Sequence, residues 1–176
     1  MPRYKKKITR LMDFKEFEDG SLTEEDPLRR SLLGLLYLSG CRVSEALTLK
    51  PSDLSKFGTT LFVEFYRLKG SKQTEPQELP YTVNLQPLFN RALHMAYTDK
   101  PIFPFSYKTA YRIVKKAFPK FYPHYFRMNW ITITVRELGD SYAVSTLGLS
   151  SRALDFYRGK VSLTRVKDMW TNLIKQ

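Results

Sequence analysis

The sequence predicts a mainly α-helical domain with one small antiparallel β-sheet, an α+β fold, on three observations. Apolar residues recur at helical spacing through most of the chain, and only one region is rich in aromatic and branched residues. The chain has 176 residues, 43% of them apolar, which suits one well-buried core and is short for two. Thr23, Glu24, Glu25 and Asp26 ahead of Pro27 form a helix-start signal, and Leu28, Leu32, Leu35, Leu36 and Leu38 follow until Gly40 ends the run. A second short helix begins near Arg42 and runs through Leu47, with Pro51 as its breaker. Residues 60–68 and 79–83 have strand composition, and the turn-forming stretch 70–77 joins them into a hairpin with lysines at its tip. Helices are expected over 86–97 and 106–118, separated by the proline-marked link 100–105. Others follow over 124–138, 142–147, 150–157 and 162–174, punctuated by Gly139, Gly148 and Gly159.

Several function classes are disfavoured. No stretch approaches the roughly 18 apolar residues of a membrane span, and the basic start MPRYKKK lacks the apolar run of a signal peptide, so a soluble intracellular protein is expected. The single Cys41 cannot form an internal disulfide, and with His94 and His124 it makes no zinc spacing, so no metal or other cofactor is expected. Charge points elsewhere. Residues 100–176 carry 14 basic and 4 acidic residues, whereas residues 1–99 carry 15 and 13. The C-terminal half therefore either faces a polyanion such as nucleic acid or presents a solvated basic surface. In the helix over 106–118, Lys108, Arg112, Lys115 and Lys116 share one face, opposite Ala110, Val114 and Ala117. That stripe suits DNA contact or an ordinary amphipathic surface. The domain division drawn from these patterns is a basic arm over residues 1–20, free or laid along a phosphate backbone, followed by one domain over 21–176.

Four segments carry chemistry in chain order. The first, LYLSGCRVSEALTL, places Gly40, Arg42, Ser44, Glu45 and Leu47 after a buried helix. The second is the hairpin RLKGSKQTEPQELPY, with Lys69 before Gly70 and Lys72 on the same turn. The third, His124-Tyr125-Phe126-Arg127, puts imidazole and guanidinium three residues apart, on one helix face. The fourth, LGLSSRALDFYRGK, ends at Tyr157. Together they resemble the boxes of the tyrosine recombinase, or phage integrase, family over residues 20–160.

That resemblance implies a catalytic domain in which Arg42 and Arg127 hold the nonbridging oxygens of a DNA phosphate, with Glu45 in support and His124 assisting. Tyr157 would attack to form a 3′-phosphotyrosyl bond, and Lys69, or Lys72 in its place, would protonate the departing 5′ oxygen. It implies double-stranded DNA as partner, self-association as a tetramer on paired sites, and no need of metal or nucleotide. Residues 161–176 would then pack on a neighbour or close their own domain. Members usually carry a separate clamp domain before the catalytic one, and none is expected within this length. The chain departs from the family at Leu149, where His or Trp is usual, and its spacing to Tyr157 is one residue shorter. Relaxation of supercoils in the manner of a type IB topoisomerase, and a degenerate relative that only binds DNA, remain alternatives.

Overall fold

The structure is a computed structural model, and it describes residues 10–66, 76–147, 149 and 154. Within these the elements run α1 (Phe14–Leu22), α2 (Pro27–Ser39), α3 (Val43–Leu47), a short 3₁₀ turn (Pro51–Asp53), β1 (Leu54–Phe57), β2 (Thr60–Val63), β3 (Gln77–Pro80), α4 (Gln86–His94), α5 (Tyr107–Ala117), α6 (Pro123–Glu137) and α7 (Asp140–Leu147). The expected mainly helical domain with one small antiparallel sheet is what forms. The expected helices over 150–157 and 162–174, and the tip of the hairpin, lie outside the described residues.

α2 is the central strut. Its start is fixed by Asp26, whose carboxylate accepts hydrogen bonds from the backbone N–H groups of Leu28 and Arg29, both at 2.9 Å. Pro27 occupies the first turn, where its missing N–H costs nothing. Every residue from Ser31 to Ser39 is buried, so α2 packs on α1, α4, α5 and α6 at once. Gly40 ends it in the left-handed conformation, at φ 61°.

α6 is buried around nearly its whole circumference because it separates two apolar clusters. Phe126 and Ile133 belong to the main core. Trp130 and Ile131 belong to a smaller one with Ala143 and Leu147 of α7 and with Leu154.

The sheet has order β1-β2-β3 with both pairs antiparallel. Leu61 faces Leu79 and Val63 faces Gln77, and these four side chains form the buried side of the pleat. β3 therefore begins at Gln77, a residue the sequence assigned to the turn, and β2 stops at Val63. β1 was not anticipated: it is four residues long, three of them exposed, and it turns into β2 through Gly58 at φ 56°. Among the described residues, no helix is long and apolar enough to cross a membrane.

α1 was not anticipated either, and it crosses the expected boundary between arm and domain at residue 20. Asp13 caps it by accepting from Glu16 N at 2.8 Å. Phe17 is fully buried, stacked on Tyr37 with ring centroids 4.1 Å apart and on Phe118 at 5.9 Å. The residues before α1 are held as well. Asn129 accepts from Met12 N at 3.0 Å and Tyr125 donates to the Arg10 carbonyl at 2.7 Å. Packing thus starts at Leu11, because Phe14 and Phe17 supply core contacts that a charge count overlooks. Phe17→Ala is expected to lower stability in urea by about 3–5 kcal/mol, as for other buried aromatic truncations. A loss under ~1 kcal/mol would show that α1 lies outside the cooperative core.

Candidate active site

Four of the residues singled out by sequence meet where the end of α2 faces the start of α6. Arg42 sits at the N-cap of α3, two residues beyond Gly40. Glu45, in the first turn of α3, is fully buried and turns back toward it. One carboxylate oxygen accepts from the Arg42 backbone N–H at 2.8 Å, and the other from Arg42 Nη1 at 2.6 Å. The same carboxylate lies 3.8 Å from Arg127 Nη1. Glu45 is thus shared by both arginines, a third relation that its spacing from Arg42 did not disclose.

Arg127 is 2% exposed and Arg42 is 35% exposed. A guanidinium buried that deeply must be compensated. Glu45 supplies opposite charge, Gly40 O accepts from Nη1 at 3.0 Å, and Leu147 O accepts from Nη2 at 3.4 Å. Gly40 and Leu147 act through their carbonyls, so side-chain chemistry in the sequence gave no sign of them. The end of α2 also presents the negative pole of the helix to the guanidinium.

His124 occupies the first turn of α6, one turn before Arg127, as the spacing predicts. The residue is exposed, yet atoms crowd the imidazole. Partial burial first, then the positive charges of Arg127 and Arg42, hold its pKa below an ordinary imidazole's. Both guanidiniums disfavour the charged ring, which leaves His124 neutral at pH 7. A half-buried guanidinium and a covered one sharing a carboxylate, with a neutral imidazole that feels both positive charges, form a site suited to a dianionic or developing negative charge.

The remaining sequence candidates fall elsewhere. Lys69, Lys72 and Tyr157 lie outside the described residues. Lys108 and Arg112 are exposed on α5, beside exposed Tyr107 and Tyr111. Lys115 donates to the Pro119 carbonyl at 2.6 Å, and Lys116, itself exposed, lies 3.7 Å from the buried Glu24 carboxylate. Leu149, at the position where His or Trp was expected, packs against the small apolar cluster. Among the described residues, no group of three or more His, Cys, Asp or Glu side chains is placed to hold a metal ion. A cavity of about 650 Å³, lined in part by Phe14, Tyr37, Gln77, Thr82, Trp130 and Tyr142, includes none of Arg42, Glu45, His124 and Arg127.

No family model matches the chain, and no curated protein matches it in sequence. Solved structures do match in fold. XerH site-specific recombinase bound to its difH substrate in a pre-cleavage complex superposes with a TM-score of 0.68 at 18% identity, covering 93% of this chain and 54% of that one. XerA recombinase gives 0.63 at 19%, covering 93% and 64%. The Tn1549 transposon integrase in complex with transposon right-end DNA gives 0.58 at 14%, covering 98% and 69%. The chain therefore has the fold of tyrosine recombinase catalytic domains, and it spans between about half and two thirds of the length of the first two.

Replacing Arg42 by Gln removes a positive neighbour of His124 and should raise the imidazole pKa in an NMR titration. The value should stay below that of an ordinary histidine, because burial and Arg127 remain. An unchanged pKa would mean that Arg42 does not share the corner with His124.

Proposed function

We propose that this chain cleaves and rejoins double-stranded DNA as the strand-transfer unit of a site-specific recombinase or integrase. The observation that carries the reading is that Arg42 and Arg127 share Glu45 while both act on His124, on a fold shared with a recombinase and an integrase whose structures were solved with DNA.

Phosphodiester cleavage by a phenol places extra negative charge on the two nonbridging oxygens. Paired guanidinium donors are the side chains best shaped to hold them. In the proposed reaction Tyr157 gives its phenolic proton to water, its oxygen attacks phosphorus, the bond to the 3′ phosphate forms as the 5′ oxygen leaves, and Lys69 gives that oxygen a proton, with Lys72 the alternative donor. The surrounding positive charge favours the phenolate, which is otherwise scarce at neutral pH. His124, being neutral, can donate one ring hydrogen to a phosphate oxygen. Attack by a new 5′ hydroxyl reverses the step and regenerates the phenol. One phosphodiester replaces another, so the chemistry requires no nucleotide hydrolysis.

Two structural facts qualify how the site is used. Arg127 is covered in the described state, so DNA must uncover the guanidinium edge before it can meet a phosphate. Exposed Lys108 and Arg112 on α5 provide positive charge for the DNA backbone, while Lys115 and Lys116 are engaged within the protein. Exchange between paired sites implies self-association on DNA, as a tetramer if each site takes two copies. Leu149 offers no donor where one is usual, and this favours, as the second reading, a DNA-binding relative without activity.

A nicked suicide substrate, from which the short cleaved strand diffuses away, should trap a covalent protein–DNA adduct with the unaltered protein and none with Tyr157→Phe. The same adduct in both proteins would refute the assignment of the nucleophile. Adduct in neither would leave only DNA binding.

A further inference from the structure

The last turn of α2 ends in three carbonyls that side chains from two elements, α6 and β3, take up. Leu38 O accepts from the indole Nε1 of Trp130 at 2.7 Å, Ser39 O from Nε2 of Gln77 at 3.1 Å, and Gly40 O from Nη1 of Arg127 at 3.0 Å. Trp130 and Arg127 stand three residues apart on α6, so one helix grips the other at two points one turn apart.

The grip at Trp130 is tight. A Cβ on Gly40 would fall 2.7 Å from both Cβ and Cγ of Trp130, which means that the indole lies directly against the Gly40 backbone. Trp130 is itself 93% hidden, with its single donor spent on Leu38. The carbonyl that orients Arg127 thus belongs to the residue on which Trp130 rests, and Arg42 follows two residues later.

We propose that Trp130 is a positioning residue for strand transfer: by clamping the residues Leu38 to Gly40 it aims the Gly40 carbonyl at Arg127 and sets the spacing between the Arg127 and Arg42 guanidiniums. The proposal rests on the strand-transfer reading above. It assigns Trp130 no contact with DNA. Its effect falls on the chemical step, because two guanidiniums shifted by a fraction of an ångström still attract DNA but no longer match the two oxygens of one phosphate.

Trp130→Phe keeps an aromatic ring against Gly40 and removes the ring N–H. Adduct formation is measured on two suicide substrates that differ only at the scissile position, one a phosphate and the other a methylphosphonate, whose methyl group replaces a charged nonbridging oxygen. With that charge gone, arginine alignment loses most of its value. The expected result is adduct formation slowed by ~10-fold or more on phosphate, by less than ~2-fold on methylphosphonate, and with unchanged DNA affinity. Equal slowing on both substrates, or slowing on neither, overturns the positioning role. An unfolded fraction lowers both rates by one factor and leaves their ratio intact. If Trp130→Phe does not fold, the same comparison is made with benzothienylalanine at position 130, which keeps the ring size and replaces the N–H by sulfur. Failure of the unaltered protein to form adduct on phosphate overturns the strand-transfer reading itself, and the role of Trp130 with it.

Discussion

Arg42 and Arg127 carry like charges and approach one corner from different elements, an arrangement that repels itself unless a negative group lies between them. Glu45 is that group. Unit charges about 4 Å apart near a protein surface interact by about 4 kcal/mol, and Glu45 meets Arg42 at 2.6 Å and Arg127 at 3.8 Å. Burial makes the carboxylate's own position depend on both partners, since a buried charge left unpaired is strongly unfavourable. The carboxylate and the two guanidiniums therefore specify one another. His124 depends on this trio, because its neutral state follows from crowding and from the same two positive charges.

The helices then serve to deliver these groups. α2 brings Gly40 to the corner, and α3 starts there with Arg42 as its cap. α6 brings His124 and Arg127 from the opposite side. α6 is able to do so because apolar clusters hold it on two flanks, so its register is fixed by Phe126 and Ile133 on one and by Trp130 and Ile131 on the other. Asn129 and Tyr125 extend the same helix's reach to the backbone of residues 10–12, tying the segment that precedes α1 to the helix that carries the site.

Legibility in the sequence followed the length scale of each interaction. α2, α5 and α6 were readable because a long apolar period and nearby caps act locally, as in the leucines after Pro27 and the glycine at position 40. Arg42, Glu45, His124 and Arg127 were readable as two local spacings, and resemblance supplied the idea that the two belong together. β1 was too short and too exposed to leave a period. α1 was hidden by the basic residues before it, although Phe14 and Phe17 carry its packing. Contacts made by backbone carbonyls, at Gly40 and Leu147, leave no residue-type signal, and neither does the distance between Glu45 and Arg127, 82 positions apart in the chain. The engagement of Lys116 by Glu24 shows the converse, a stripe that looks wholly exposed until tertiary structure brings a buried carboxylate to it.

A double-mutant cycle between Arg42→Gln and Arg127→Gln, read by urea denaturation, tests the shared carboxylate most directly. Removing either arginine leaves Glu45 one guanidinium neighbour, whereas removing both takes away both positive charges that face it. The double variant should accordingly be destabilised beyond the sum of the single variants, by about 1 kcal/mol or more. Additivity within ~0.5 kcal/mol would show that the two arginines do not lean on a common charge, and would contradict the account.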